Sequence, residues 1–408
     1  MPHVNGLRCK ECGNDYPIEP LYVCDFCFGP LEVSYDYDAV SRSISRESIE
    51  RGPATLWRYA DLLPASASNA VDIGAGLTPL VKADNLGEVL GLDNLWIKND
   101  TANPTHSFKD RVVSVAATKT VEFGFDTLAC PSTGNLAGAT AAHGRKARLN
   151  TMVFVPHDLE RAKINMAAIF GSVILVRGNY DDVNRLCSEL ADERQWAFVN
   201  VNMRPYYSEG SKSLGFEVAE QLGWRAPRHI VVPVASGSLL TKVWKGLREF
   251  TDLGLIEDAE TSMHVAQAEG CSPVATAVQE GQTHPRPVVP NTIAKSLAIG
   301  NPADGYYSAK VTMESGGKGC IVPEADVAAG IRLLAETEGI FAETAGGVVI
   351  SALKQLAESG AIGRHEETVA LITGSGLKTM DAVADTIRVT TIDADVRSFD
   401  EMIMDVAA

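Results

Sequence analysis

From about Arg51 onward, short runs of β-branched and apolar residues alternate with longer stretches of helical periodicity. That alternation constrains the fold more than any other feature. Each strand must hand the chain to a helix that returns it to a parallel neighbour, which gives parallel sheets covered by helices on both faces. Strands are predicted at 95–98, 127–130, 151–155, 173–176, 230–234, 264–267 and 369–372. With 408 residues, 45% of them hydrophobic, the chain can bury more than one core. The pattern divides it into a small segment at 1–40, a large α/β domain from 50–104 and 206–390, a smaller inserted α/β domain at 105–205, and an Asp-rich C-terminal extension at 391–408. The stretches 65–75 and 281–290 read as loops.

Charge excludes some functions. Lysine and arginine number 36 against 52 aspartates and glutamates, a net charge of −16. Such a surface repels a nucleic-acid backbone and an anionic membrane alike. The first residues lack a basic region followed by an apolar one, and no apolar run approaches membrane-spanning length, so the chain is expected to be cytoplasmic.

Four of the eight cysteines fall in two knuckles, Cys9-x-x-Cys12 and Cys24-x-x-Cys27, separated by eleven residues. Four thiolates so spaced can meet around one tetrahedral zinc, with strand-like runs at 21–23 and 31–35 completing a zinc ribbon. Two disulfides are the competing reading. A closed four-sulfur shell leaves no open coordination position, which assigns the metal to structure rather than chemistry. Cys130, Cys187, Cys271 and Cys320 sit in apolar or small-residue surroundings and read as reduced core thiols.

The stretch Asn103-Pro104-Thr105-His106-Ser107-Phe108-Lys109-Asp110-Arg111 places a lysine where a turn becomes a helix. The helix dipole disfavours a cation there and makes the neutral, nucleophilic amine easier to reach. Three further turns have the strand-turn-helix form of ligand-binding loops. Pro131-Ser132-Thr133-Gly134-Asn135 combines small hydroxyl residues with a glycine and an amide. Ala235-Ser236-Gly237-Ser238-Leu239 offers backbone N–H groups and hydroxyls suited to a phosphate. Thr373-Gly374-Ser375-Gly376-Leu377-Lys378 ends the last predicted strand.

The Asn-Pro-Thr-x-Ser-Phe-Lys-Asp-Arg run and these turns resemble the threonine synthases, within the tryptophan-synthase-β-like family of pyridoxal phosphate enzymes. Further matches are Gly76-Leu77-Thr78-Pro79-Leu80, the segments at 207–212 and 295–300, and Phe341-Ala342-Glu343-Thr344-Ala345-Gly346-Gly347. The resemblance implies the fold type II architecture, with two parallel-sheet α/β domains behind the ribbon, and a homodimer. It implies that Lys109 carries the cofactor as a Schiff base beside Phe108, and that residues 235–239 hold the cofactor phosphate. It further places Asn135 at the ring hydroxyl and Thr373 at the ring nitrogen. A hydroxyl leaves that nitrogen a weak electron sink, favouring elimination and replacement over transamination.

Substrate carboxylate is then expected at Ser132, Thr133 and Gly134, with Thr105 nearby. A second phosphate, that of O-phosphohomoserine, is expected among Lys163, Arg161, Arg204, Lys212 and Ser132. The implied reaction converts O-phosphohomoserine and water to threonine and phosphate, with Lys109 shuttling protons. Three alternatives stay open: a cysteate-synthase-like enzyme using O-phosphoserine, a serine/threonine dehydratase, and an inactive zinc-ribbon scaffold protein.

Overall fold

The computed structural model describes residues 3–407 apart from 133, 259 and 388. The N-terminal segment forms a three-stranded antiparallel sheet of β1 (Val4–Cys9), β2 (Asp15–Tyr16) and β3 (Leu31–Tyr35), in the order β2-β1-β3. In β3 the side chains of Leu31, Val33 and Tyr35 are buried and alternate with half-buried Glu32 and Ser34, as one covered sheet face requires. That face joins the core of the main body, packing in one cluster with Leu7, Val112, Val113 and Tyr206. The expected strand at 21–23 reduces to a single bridge between Val23 and Pro30. Pro20 removes a donor at its head, and the knuckle from Cys24 turns the chain back before a ladder can form.

The main body carries two sheets. One has six strands in the order β12-β11-β10-β13-β5-β4. These are β4 (Leu80–Lys82), β5 (Leu95–Asn99), β10 (His229–Pro233), β11 (Ser262–Ala268), β12 (Gly319–Val322) and β13 (Thr368–Ile372). Only β4 runs antiparallel to its neighbour. The other sheet is parallel, in the order β8-β7-β6-β9, built from β6 (Thr127–Pro131), β7 (Asn150–Pro156), β8 (Ser172–Val176) and β9 (Ala197–Phe198). Strands β6, β10, β11 and β13 are buried along their whole length, because helices cover both faces.

All seven strands expected in the body are present. The short β4, β9 and β12 escape a periodicity argument because two to four residues cannot display a period. Among the described residues no helix is long and apolar enough to cross a membrane. The 65–75 stretch contains one short 3-10 turn, Ala67–Asn69, and the C-terminal extension forms the helix Val396–Ala407.

Strand order decides what meets what. Strands β10, β13 and β5 lie side by side and parallel, so the segments that follow them emerge at one edge. These are 235–239, 373–378 and the stretch that leads to Lys109.

Candidate active site

The helix Lys109–Glu122 begins at Lys109 itself. Its start is tied to the end of β13: the Phe108 N–H donates to the Thr373 carbonyl at 2.9 Å, and Ser107 bridges Gly374. The two residues after the lysine anchor the turn from behind. Asp110 accepts from the Thr105 N–H at 2.7 Å and the Thr105 hydroxyl at 2.9 Å, and lies 3.1 Å from His143 Nε2. Thr105 therefore caps Asp110 and does not line the cleft. Arg111 is fully buried and donates to Asp100, Glu217, Ser213 and Thr78.

Between these anchors the Lys109 side chain reaches the floor of a cleft of about 230 Å³. Its amine donates to the Tyr207 hydroxyl at 3.0 Å and sits 4.5 Å from the centre of the Phe108 ring. Enclosure by protein lowers the amine's pKa to about 8, opposed by the negative charge of Glu343. Burial is thus the largest cause of the easy deprotonation expected from the helix terminus.

Across the cleft, the Ser132 hydroxyl oxygen accepts the N–H groups of Gly134 and Ala137, both at 2.9 Å, and so opens the helix Asn135–Lys146. Thr133 lies outside the described residues. Gly134 has φ +133°, and a side chain there would strike the aliphatic stem of Lys163. Lys163 itself turns to Glu160 at 3.0 Å and backs this turn rather than lining the cleft.

Asn135 is held at both ends of its amide. Its nitrogen donates to the Glu343 carboxylate at 2.8 and 3.0 Å, and its oxygen accepts from the Lys378 amine at 2.9 Å. Burial brings the Lys378 pKa down to about 8. Glu343, Lys378 and Tyr207 were not singled out as site residues by the sequence, although each lies inside a stretch that was.

At the third wall, residues 235–239 and Thr373 line the same cleft. Gly237 has φ +97°, and a Cβ there would sit 2.3 Å from the Ser308 hydroxyl and 2.7 Å from the Asp304 carbonyl. Without it, the helix Ser238–Asp252 starts with its first N–H groups lacking intrahelical acceptors, a cradle for an anion. Arg204 lines the cleft and pairs with Asp304 at 2.8 Å. Arg161 opens the helix Arg161–Ala168 and does not line the cleft. Lys212 is directed elsewhere: it is fully buried between Glu209 at 2.7 Å and Glu249 at 2.9 Å, 4.2 Å from the Tyr35 ring centre. A carboxylate pair claims that amine before any ligand can.

In the N-terminal segment the ligand atoms of Cys9, Cys12, Cys24 and Cys27 all lie within 4.8 Å of one another, and all four thiols are free. The Cys9–Cys27 and Cys12–Cys24 sulfur separations are 3.5 and 3.6 Å. Sulfurs around a tetrahedral ion with metal–sulfur bonds of about 2.3 Å stand roughly 3.8 Å apart, so the cluster suits a metal site and not disulfides.

A family model described as pyridoxal-phosphate dependent enzyme matches residues 71–374, and one described as NinF protein matches residues 8–32. The chain is 37% identical over 402 residues to a threonine synthase of Methanosarcina acetivorans, covering 97% of this chain and 98% of that protein. It is 36% identical over 380 residues to a threonine synthase of Methanocaldococcus jannaschii, covering 92% and 93%. Among solved structures it resembles threonine deaminase isoform 2 of Solanum lycopersicum, with a TM-score of 0.65 and 20% identity over 81% of this chain and 89% of that one.

Proposed function

The chain belongs to the pyridoxal-phosphate-dependent enzymes, and on that premise we propose that it makes threonine and phosphate from O-phosphohomoserine and water. One observation carries the reading. Lys109, Asn135, the 235–239 turn and Thr373, far apart in sequence, meet in one cleft of a chain matched nearly end to end by threonine synthases.

The residues fit the cofactor. Lys109 would hold it through its amine beside Phe108. The space kept by Gly237 and the free N–H groups around Ala235, Ser236, Ser238 and Leu239 would take its phosphate. Bound there, pyridoxal phosphate supplies an electron sink for charge developing beside the amino-bearing carbon. Asn135, fixed by Glu343 and Lys378, would face the ring hydroxyl. The Thr373 hydroxyl would meet the ring nitrogen. On the substrate side, Ser132 and Gly134 take the carboxylate, and Arg204 is the guanidinium placed for the substrate's phosphate. Lys109, neutral above about pH 8, is the base that moves protons between the substrate's carbons.

We assign zinc to Cys9, Cys12, Cys24 and Cys27 as a structural ion. The division into a ribbon, a large domain from 50–104 and 206–390, and a small domain at 105–205 belongs to the same proposal. The test is phosphate release. O-phosphohomoserine should be turned over with threonine as product, and the visible cofactor band of the purified protein should be lost in Lys109→Ala. Release from O-phosphoserine alone would overturn the substrate assignment, and an unchanged band in Lys109→Ala would overturn the lysine.

A further inference from the structure

We propose that Tyr207 is a positioning residue for the reaction of this chain, its phenol oxygen holding and aiming the Lys109 amine. The inference deepens the reaction assigned above and rests on Lys109 being its base. A lysine amine at the end of a long flexible stem must present its lone pair to a carbon in one direction. Among the described residues, the one hydrogen bond of this amine goes to Tyr207, at 3.0 Å. The phenol oxygen accepts that N–H and keeps its own O–H, which has no acceptor among the described residues, and Tyr207 lines the cleft. Tyr207 as a whole is 7% exposed.

The backbone that carries Tyr207 is fixed to the backbone that carries Lys109. Tyr207 lies in the short helix Arg204–Glu209, and Gly210 follows it. A Cβ at Gly210 would stand 2.7 Å from both the Arg111 carbonyl and the Val112 Cα, so the two chain segments touch there without side chains between them. Two residues beyond Tyr207, Glu209 is locked by Lys212 at 2.7 Å, by Lys242, by Lys245 at 3.1 Å and by the Tyr35 hydroxyl of the ribbon at 2.9 Å. The distance from phenol to amine is therefore set by packing on both sides, which is how a reacting group is pre-organised.

Glu343 and Cys130 are the other titratable groups facing the amine, and Arg204, Tyr180 and Cys130 face the phenol. Burial pushes the Tyr207 phenol up, so it stays neutral and acts as an acceptor that need not take a proton. No group is transferred to it. Its work is to hold one N–H of Lys109 whenever that amine is free.

The test is Tyr207→Phe, which keeps the ring and removes the oxygen. In cofactor-free protein, Lys109 is acylated at a series of pH values and the modified peptide is quantified by mass spectrometry. The wild-type midpoint is expected near 8. In Tyr207→Phe it should fall by about one pH unit, because an acceptor that favours the ammonium has gone. With cofactor bound, the variant should keep its visible band, lose roughly 10- to 100-fold in kcat, and change KM little. Tyr206→Phe is the control. That neighbouring phenol donates to the Glu19 carbonyl of the ribbon at 2.6 Å, and its loss should leave the Lys109 midpoint in place. A Tyr207→Phe protein with the wild-type midpoint and the wild-type kcat overturns the inference. Absence of phosphate release by wild type would instead sink the reaction assigned above, since the acylation midpoint is read without substrate or cofactor.

Discussion

The buried charges beneath the Lys109 helix make the sharpest stability prediction. Glu217, on the helix Lys212–Gln221, is fully buried and accepts from Arg111 Nη2 at 2.7 Å, Lys98 at 2.6 Å and the Leu77 N–H at 2.6 Å, with a further bond from Arg111 Nη1. The perturbation is Glu217→Gln, which keeps the shape and removes the charge. Arg111 and Lys98 are then left buried with Asp100 as the nearer counter-ion. The two cations outweigh desolvation and hold the Glu217 carboxyl down to about 2 from a usual 4.5. At 1.36 kcal/mol per pH unit that depression is worth about 3 kcal/mol. Removing one partner of a buried ion pair costs about 3–5 kcal/mol by an independent route, and the two figures agree.

The sign follows from the lowered value. The contribution is complete above about pH 4.5 and is lost as pH falls through about 2, so the gap between wild type and variant should be wide at pH 7 and narrow at pH 3. Calorimetric unfolding at both values is the assay. Equal unfolding temperatures at pH 7, or a gap that does not shrink in acid, would refute the argument that this cluster holds the base of the Lys109 helix.

Two other outcomes follow from geometry. Gly237→Ala should weaken cofactor binding at least tenfold in a spectral titration, and adding Ser308→Ala should not restore it. The Asp304 carbonyl at 2.7 Å and the φ of +97° both remain after that second change. Purified protein should carry one zinc per chain, and Cys24→Ser should lose it together with about 3 kcal/mol of ribbon stability, the value for a metal held at a hundred times its Kd. Metal analysis and thermal unfolding read the two effects, and full zinc content in Cys24→Ser would remove that cysteine from the ligand set.

Much was settled by the chain as written. The β-branched runs fixed every long strand of both sheets, because burial on both faces demands continuous apolar segments. The cysteine spacing announced the four-sulfur cluster, and the break from Asn103-Pro104 into a helix placed Lys109 at the helix start. These are local properties, readable within a dozen residues.

The partners of the reactive groups are not local. Lys109 meets Tyr207 across 98 residues, Asn135 meets Glu343 across 208, and Lys378 reaches Asn135 across 243. No period or turn signal spans such distances. Lys378 comes to the cleft on the turn after β13, which lies between β10 and β5, and Asn135 comes from the other sheet, on the turn after β6, while Gly210 lets the backbone that carries Tyr207 rest on that of the Lys109 helix. The same packing took Lys212 into a pair of carboxylates and Thr105 onto Asp110, away from the cleft. Sequence named the chemistry that could occur at each position. Tertiary structure decided which groups were free to perform it, since a buried charge or hydroxyl must satisfy its nearest partner before it can serve a ligand.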